Sequence, residues 1–417
     1  MTTPEQKKVE EPKGCRQTIG SIIVGVLLFV ALIIGSLTGV DVVGILGLNT
    51  PTPSGPTIFP TATPLTGTPE IPTAAPGLVV PIAVGQGFGA EKGFWQVYFT
   101  APTGSRNPAT YIDGIDTFLV RAIDNAGRSL DIAAFEWNLV SLTDAVLRAH
   151  QRGVQVRMVV DSEHAIEDRA STIKTLIDAG ISVVGDERGA FMHNKFMIID
   201  SQVVWMGSWN YTVNDTYRNN NNALALRSRK LVENYQAEFD EMFTGRQFGP
   251  TSPRNTPNNV FTQNGTPIQT LYGSEDATTR SIITVLNGAQ RSIRFMAFQF
   301  TLTDVGAIVE SKASQGVVVE GIFETTGSNT RFSEFTSLAC LGAAVRTDGN
   351  PFVLHHKVFI VDDTTVITGS FNFSDNARDQ NDENLLIISD PDLAAQYTGE
   401  FQRLWAQARP PGALNCP

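Results

Sequence analysis

The chain has 417 residues, with 31 Lys and Arg against 42 Asp and Glu, so its formal charge is −11. Apolar residues make up 42%, enough for a real core, which excludes a globally disordered chain. Three cysteines exclude a disulfide-rich scaffold and any Cys-rich zinc or iron–sulfur module, and the acidic balance argues against a protein that grips nucleic acid through an overall basic surface.

Residues 1–16 carry Lys7, Lys8, Lys13 and Arg16 ahead of an uncharged, apolar run at 17–40. A helix of that length exceeds the roughly 30 Å hydrocarbon core of a bilayer. It is also longer than the ~7–15-residue apolar core of a cleaved signal peptide. No Lys or Arg follows until Lys92. The positive-inside rule therefore predicts a single-pass anchor with 1–16 in the cytoplasm and the rest outside, at a bacterial cell surface. Residues 41–90 are expected to be a Pro/Thr-rich stalk, because proline favours extended chain and cannot donate to a ladder. Outside the cytoplasm a disulfide is permitted. Cys340 and Cys416 either bridge or remain two buried thiols; the sequence leaves both open.

The remainder is written twice. Ser129-Leu-Asp-Ile-Ala-Ala-Phe-Glu136 matches Ser292-Ile-Arg-Phe-Met-Ala-Phe-Gln299, 163 residues on. Each follows a helix-like run (114–126; 277–289) and precedes another that ends at a glycine, Gly153 or Gly316. A strand-like run follows each glycine, at 154–160 and 317–323. Apolar strand runs alternating with amphipathic helices predict an α/β fold. The strand runs are apolar on both parities, so their sheets should be buried on both faces. The expected organisation is two duplicated α/β domains, at 91–248 and 268–417, joined by a Pro/Asn/Thr/Gly-rich linker at 249–267.

The candidate chemistry occupies equivalent places in the two copies. His193, Lys195 and Asp200 are followed by Gly207-Ser208-Trp209-Asn210 and by Asn221. His355, Lys357 and Asp362 are followed by Gly369-Ser370-Phe371-Asn372 and by Glu383. In extended chain each His and Lys share a face. Two such sets facing each other would offer imidazoles, ammoniums, amides and hydroxyls to a tetrahedral oxyanion such as phosphate. A neutral imidazole attacks phosphorus while a protonated one supplies a proton to the leaving oxygen.

The HxKxxxxD…GSxN pattern, present twice, resembles the phospholipase D superfamily of phosphodiesterases over roughly residues 96–406. The resemblance implies two halves related by a pseudo-twofold with one active site between them. It implies a phosphohistidine intermediate and neither metal nor other cofactor. It makes Lys195, Lys357, Asn210 and Asn372 the holders of the phosphoryl oxygens, helped by Ser208 and Ser370. Asp200 and Asp362 it leaves structural. His356 should point to the opposite face from His355. Asp161 and Glu324, repeat equivalents at strand ends, are candidate rim groups or helix caps. Arg218 and Arg378 are candidate contacts to substrate or solvent.

The copies differ at the position of the histidine's partner, Asn221 in the first and Glu383 in the second. Each partner is expected to serve the histidine of its own copy. A carboxylate would then keep His355 cationic, making it the general acid and then base, and leave His193 as nucleophile. The expected substrate is a phosphatidylcholine-like phospholipid, hydrolysed to phosphatidate and a free head group. The alternatives are an extracytoplasmic nuclease, which the second copy also resembles, and a cardiolipin synthase-like phosphatidyl transferase. No obligate protein partner is evident.

Overall fold

A computed structural model describes residues 77–414 and Cys416. The expected cytoplasmic segment, the membrane helix at 17–40 and the stalk up to residue 76 lie outside the described residues. Among the described residues no helix is long and apolar enough to cross a membrane.

In chain order the first half comprises β1 (Val80–Ile82), β2 (Gly87–Lys92), β3 (Trp95–Thr100), α1 (Asp116–Asp124), β4 (Ser129–Ala134), α2 (Val140–Gln151) and β5 (Gln155–Val160). It continues with α3 (Ile173–Asp178), β6 (Ser182–Gly185), β7 (Lys195–Ile199), β8 (Val203–Gly207), α4 (Val213–Tyr217), β9 (Asn222–Leu226) and α5 (Arg229–Phe243). The second half comprises β10 (Val260–Gln263), β11 (Thr266–Tyr272), α6 (Thr278–Asn287), β12 (Ser292–Ala297), α7 (Thr303–Ser314), β13 (Val318–Phe323) and α8 (Phe335–Cys340). It ends with β14 (Ala344–Thr347), β15 (Lys357–Val361), β16 (Thr365–Gly369), α9 (Asp375–Asp379), β17 (Asn384–Ser389) and α10 (Pro391–Trp405).

The strand orders are β1-β2-β3-β9-β8-β7-β4-β5-β6 and β10-β11-β17-β16-β15-β12-β13-β14, so the second sheet repeats the first without β1. Only β4-β5-β6 and β12-β13-β14 run parallel. Both expected limits of the globular part shift. Residues 80–90, assigned above to the stalk, contain β1 and most of β2. The expected linker contains β10 and the start of β11. Strands of three to six residues at the sheet margins, interrupted by Pro in β1 and Gly in β2, carry too little hydrophobic periodicity to be told from loop.

Helices α1–α3 cover the outer face of the first sheet, and α6–α8 that of the second. The inner faces share one core, which also holds α5 and α10. Tyr235 on α5 meets Tyr272 of the second sheet edge-to-face at 5.7 Å. Its repeat equivalent, Tyr397 on α10, meets Phe99 of the first sheet at 5.0 Å. Each such side chain stabilises by about 1.5–3 kcal/mol when buried, so either half alone would expose a large apolar face. The halves are therefore a single folding unit rather than independent domains.

Asp200 and Asp362 shape the backbone. Both lie at positive φ, +54° and +53°, ending β7 and β15. Asp200 accepts hydrogen bonds from the N–H groups of Gly127, Arg128 and Ser129 at 2.7–3.2 Å. Asp362 does the same for Gln290, Arg291 and Ser292 at 2.7–2.9 Å. Each carboxylate thus ties the end of an HxK strand to the start of the neighbouring strand.

Cys340 and Cys416 form a disulfide with a Cα–Cα distance of 5.5 Å, which fastens the C-terminal tail to the end of α8. A loop closed over 76 residues stabilises by about 2–4 kcal/mol. Dithiothreitol, or Cys340→Ser, is therefore expected to lower the melting temperature by several degrees. An unchanged melting curve, with two free thiols titrating in the native protein, would count against the bridge.

Candidate active site

His193 lies two residues ahead of β7, and His355 two ahead of β15. Each is fixed by its own half and by the other. Asp161 Oδ2 accepts from the Met192 N–H at 3.1 Å, and Glu324 Oε2 from the Leu354 N–H at 2.7 Å. These strand-end carboxylates thus hold the backbone just before each histidine. The opposite half completes the arrangement. The His193 N–H donates to Asp382 O at 2.9 Å, and the His355 N–H to Asn220 O at 2.9 Å. Short parallel bridges, Met192–Asp382 and Asn220–Leu354, zip the halves together at the site.

These bridges set the histidine partners, and the partners are exchanged. His193 Nδ1 lies 2.8 Å from Glu383 Oε2, and His355 Nδ1 lies 2.9 Å from Asn221 Oδ1. The expectation that each histidine uses the partner in its own copy is therefore corrected. The residue 28 positions downstream crosses to the other half because β9 and β17 begin at the interface. Both partners accept, so both histidines carry their proton on Nδ1 and leave Nε2 as the free ring nitrogen.

Ser208 and Ser370, expected at the phosphate, sit one layer behind it. Ser208 Oγ donates to Asn221 Oδ1 at 2.8 Å and accepts from the Asn222 N–H. Ser370 Oγ donates to Glu383 Oε2 at 2.6 Å and accepts from the Asn384 N–H. Both are fully buried and orient the histidines' partners. The preceding glycines must be glycines. Gly207 and Gly369 have φ of +151° and +156°, and a Cβ would meet Asn222 O at 2.4 Å or Asn384 O at 2.2 Å.

Lys195 and Lys357 are buried, and each Nζ donates to the carbonyl of its own histidine at 2.8 Å. Each also lies over a phenylalanine ring, Phe135 at 4.7 Å and Phe298 at 4.8 Å. Burial lowers Lys195 to about 8; burial, and then the charge of Lys195, hold Lys357 well below its ordinary value. Burial, and then the two lysines, hold both imidazoles well below their ordinary value and therefore neutral. Burial pushes the Glu383 carboxyl up to about 7. The structure thus brings His193, Lys195, Asn210, Asn221, His355, Lys357 and Glu383 to one place, and Asn372 is buried with an unpartnered Oδ1.

His356 faces away, buried between Asn222 and Glu400. Arg218 lies over Tyr111 and Phe352, and Arg378 pairs with Asp375 and Asp379. Of the aromatics flanking the motifs, Trp205, Trp209, Phe371 and Phe373 are core. Phe191 and Phe352 are partly exposed.

Two acids escaped the sequence reading. Asp215 is buried, and its Oδ2 lies 3.4 Å from His355 Nδ1 and accepts from the Asn210 N–H at 2.8 Å. Glu136 accepts from Asn210 Nδ2 at 3.1 Å. Burial raises both acids. Their repeat equivalents are Ala377 and Gln299, so aligning the copies position by position would have flagged them. The first half lacks a carboxylate at 221 but carries one at 215, which reaches the same ring nitrogen.

The fold and site define a duplicated two-histidine phosphodiesterase. The family model described as "Cardiolipin synthase, PLD-like domain" matches residues 119–243 and 282–405. The chain belongs to the phospholipase D superfamily of phosphodiesterases. It is 35% identical over 145 residues to a mitochondrial cardiolipin hydrolase of Xenopus tropicalis, covering 35% of this chain and 68% of that protein. It is 34% identical over 122 residues to a phospholipase D of Rickettsia prowazekii, covering 29% and 59%. The chain thus spans about two thirds or less of the curated relatives it matches. The phosphatidylserine synthase structure of Haemophilus influenzae shares the fold, with a TM-score of 0.54 at 15% identity over 71% of this chain and 85% of that one.

Glu383→Gln is expected to lower kcat on a chromogenic phosphodiester by about 10²–10⁴-fold with little change in KM. Ser370→Ala should lower kcat less, because Glu383 keeps its histidine contact. A rise in KM alone for Ser370→Ala would return that serine to the phosphate.

Proposed function

We propose that the protein is a phospholipase D that hydrolyses a membrane glycerophospholipid to phosphatidate and its free head group. The observation that carries this reading is the pair of His–Lys–Asn sets converging from the two halves. The curated relatives named cardiolipin hydrolase and phospholipase D support a lipid substrate. A cleft of about 640 Å³ beside His355 supports it as well. Phe298, whose ring lies 4.9 Å from that of His355, lines it with Phe323 and the exposed Phe332. The apolar run at 17–40 anchors the catalytic part outside the cytoplasm, close to such a substrate.

His193 Nε2 attacks phosphorus and the P–O bond to the head group breaks. His355 gives its Nε2 proton to the departing oxygen. The positive charge that develops on the phosphorylated imidazole is balanced by Glu383. His355 has an amide in direct contact and the Asp215 carboxylate only at 3.4 Å, with burial raising Asp215 toward its neutral form. Its imidazolium is therefore a stronger acid than one bonded directly to an ionised carboxylate, which suits a group that must surrender its proton. His193 thus remains the nucleophile, for the reverse of the reason given by the linear sequence. Lys195 and Lys357 neutralise the phosphoryl oxygens, and the bound anion in turn favours the protonated form of His355. Neutral His355 then takes a proton from water, whose oxygen attacks phosphorus. The P–N bond breaks, phosphatidate leaves and both histidines are regenerated. Asn210 and Asn372 hold the phosphoryl group in line.

The test is the full-length protein in detergent, assayed on phosphatidylcholine, on cardiolipin and on single-stranded DNA, with His193→Ala as control. Lipid cleavage abolished by the substitution, with acid-labile label trapped on His193, is expected. Cleavage of DNA alone would overturn the lipid reading, and label on His355 would reverse the roles. Because burial lowers Lys195 to about 8, KM should rise above pH 8 as that ammonium loses its proton. A KM flat well into the alkaline range would remove Lys195 from phosphate binding.

A further inference from the structure

Beyond Asn194, the residue that follows His193, three carboxylates meet. Glu238 and Glu241 lie three residues apart on α5, and Glu275 follows β11. One oxygen from each lies within 4.8 Å of the others. All three are buried, at 3%, 6% and 4% exposure. Both oxygens of Glu241 and Oε2 of Glu238 lack a hydrogen bond of good geometry; the neutral Ser252 and Asn255 lie beside Glu241, and Glu238 faces Glu275. The Tyr272 hydroxyl, 1% exposed, is likewise unpartnered and lies close enough to feel the charges of Glu238 and Glu275. Of the neighbouring acids, Asp382 pairs with Arg188. Among the described residues no lysine or arginine pairs with the three glutamates. Three ionised carboxylates sharing a dry site cost several kcal/mol each unless something positive joins them.

The duplication shows what that something is in the other half. The residues 162 positions after Asn194, Glu238 and Glu241 are His356, Glu400 and Arg403. There Arg403 Nε donates to Glu400 Oε2 at 2.7 Å, and His356 Nε2 lies 3.0 Å from Glu400 Oε1. The second half thus fills the position with a guanidinium. The first half has a glutamate in place of that arginine and an asparagine in place of that histidine, and Glu275 of the second half adds a further carboxylate.

We propose that Glu238, Glu241 and Glu275 bind a hard divalent cation of the calcium class, which takes the place of the second half's guanidinium. Oxygens up to 4.8 Å apart can share one ion at calcium's bond length of about 2.4 Å. The three charged donors are all carboxylate oxygens, which favours a hard ion over zinc or copper. The ion does no chemistry on phosphate. It braces the pair at the active site, because Glu238 Oε1 accepts from Asn194 Nδ2 at 2.7 Å and Asn194 Oδ1 from Asn384 Nδ2 at 2.9 Å. Those asparagines are the neighbours of His193 and Glu383. Without the ion, protons must cover the cluster: burial pushes Glu241 up to about 7 and Glu275 to about 8.

The experiment uses full-length protein in detergent, stripped with EDTA and titrated with CaCl2 by calorimetry and by thermal denaturation at mildly alkaline pH. One calcium per chain and a melting temperature that rises with calcium are expected. Glu241→Arg restores the second half's residue. It should abolish calcium binding and make the melting temperature indifferent to EDTA. If that variant does not fold, Glu275→Gln should weaken calcium binding by roughly tenfold or more while the protein remains folded. The proposal is overturned if neither millimolar calcium nor magnesium binds or shifts the melting temperature of the stripped protein.

Discussion

The molecule depends on an exchange between its halves. Two short backbone bridges, Met192–Asp382 and Asn220–Leu354, carry each motif histidine to a partner from the opposite repeat. Neither half holds a complete histidine pair by itself. The exchange is held in register by the common core, in which α5 and α10 lie between the two sheets and each reaches across to the other's strands. Folding and assembly of the site are therefore one event, and loss of packing between the sheets would separate His193 from Glu383.

On this symmetric frame the acids are placed asymmetrically. Carboxylates stand at 136, 215 and 383, where the repeat equivalents are Gln299, Ala377 and Asn221. Each histidine consequently sits in a different field. His193 has a direct carboxylate partner, whereas His355 has an amide with the Asp215 carboxylate just beyond it at 3.4 Å. Burial is the larger influence on both rings and keeps them neutral, while the two lysines oppose any positive charge until an anion arrives. The same asymmetry recurs behind the site, where Arg403 faces Glu400 in one half and Glu241 faces Glu238 in the other.

Much of this was legible in the linear chain. The constant spacing from His193 to Asn210 and from His355 to Asn372 identified the site residues, and the 162–163-residue offset identified the duplication. The helix and strand runs after Ser129 and Ser292 fall close to where periodicity put them. The marginal strands β1, β2 and β10 were missed because they are only three to six residues long, with Pro in β1 and two Gly in β2, and show little apolar alternation. The positions of Ser208 and Ser370 were misjudged because sequence shows that a hydroxyl follows a glycine turn but not which way it donates.

The sequence by itself determined the duplicated α/β architecture, the family and the paired histidines and lysines with Asn221 and Glu383, but not Asp215 or Glu136. These follow from local periodicity and fixed spacing, which the backbone reads out over a few residues. Tertiary structure alone decided which partner serves which histidine, that the halves cannot stand apart, and that Glu238, Glu241 and Glu275 converge. Those outcomes depend on strands of one repeat starting against the other, and no spacing within a single copy records that contact.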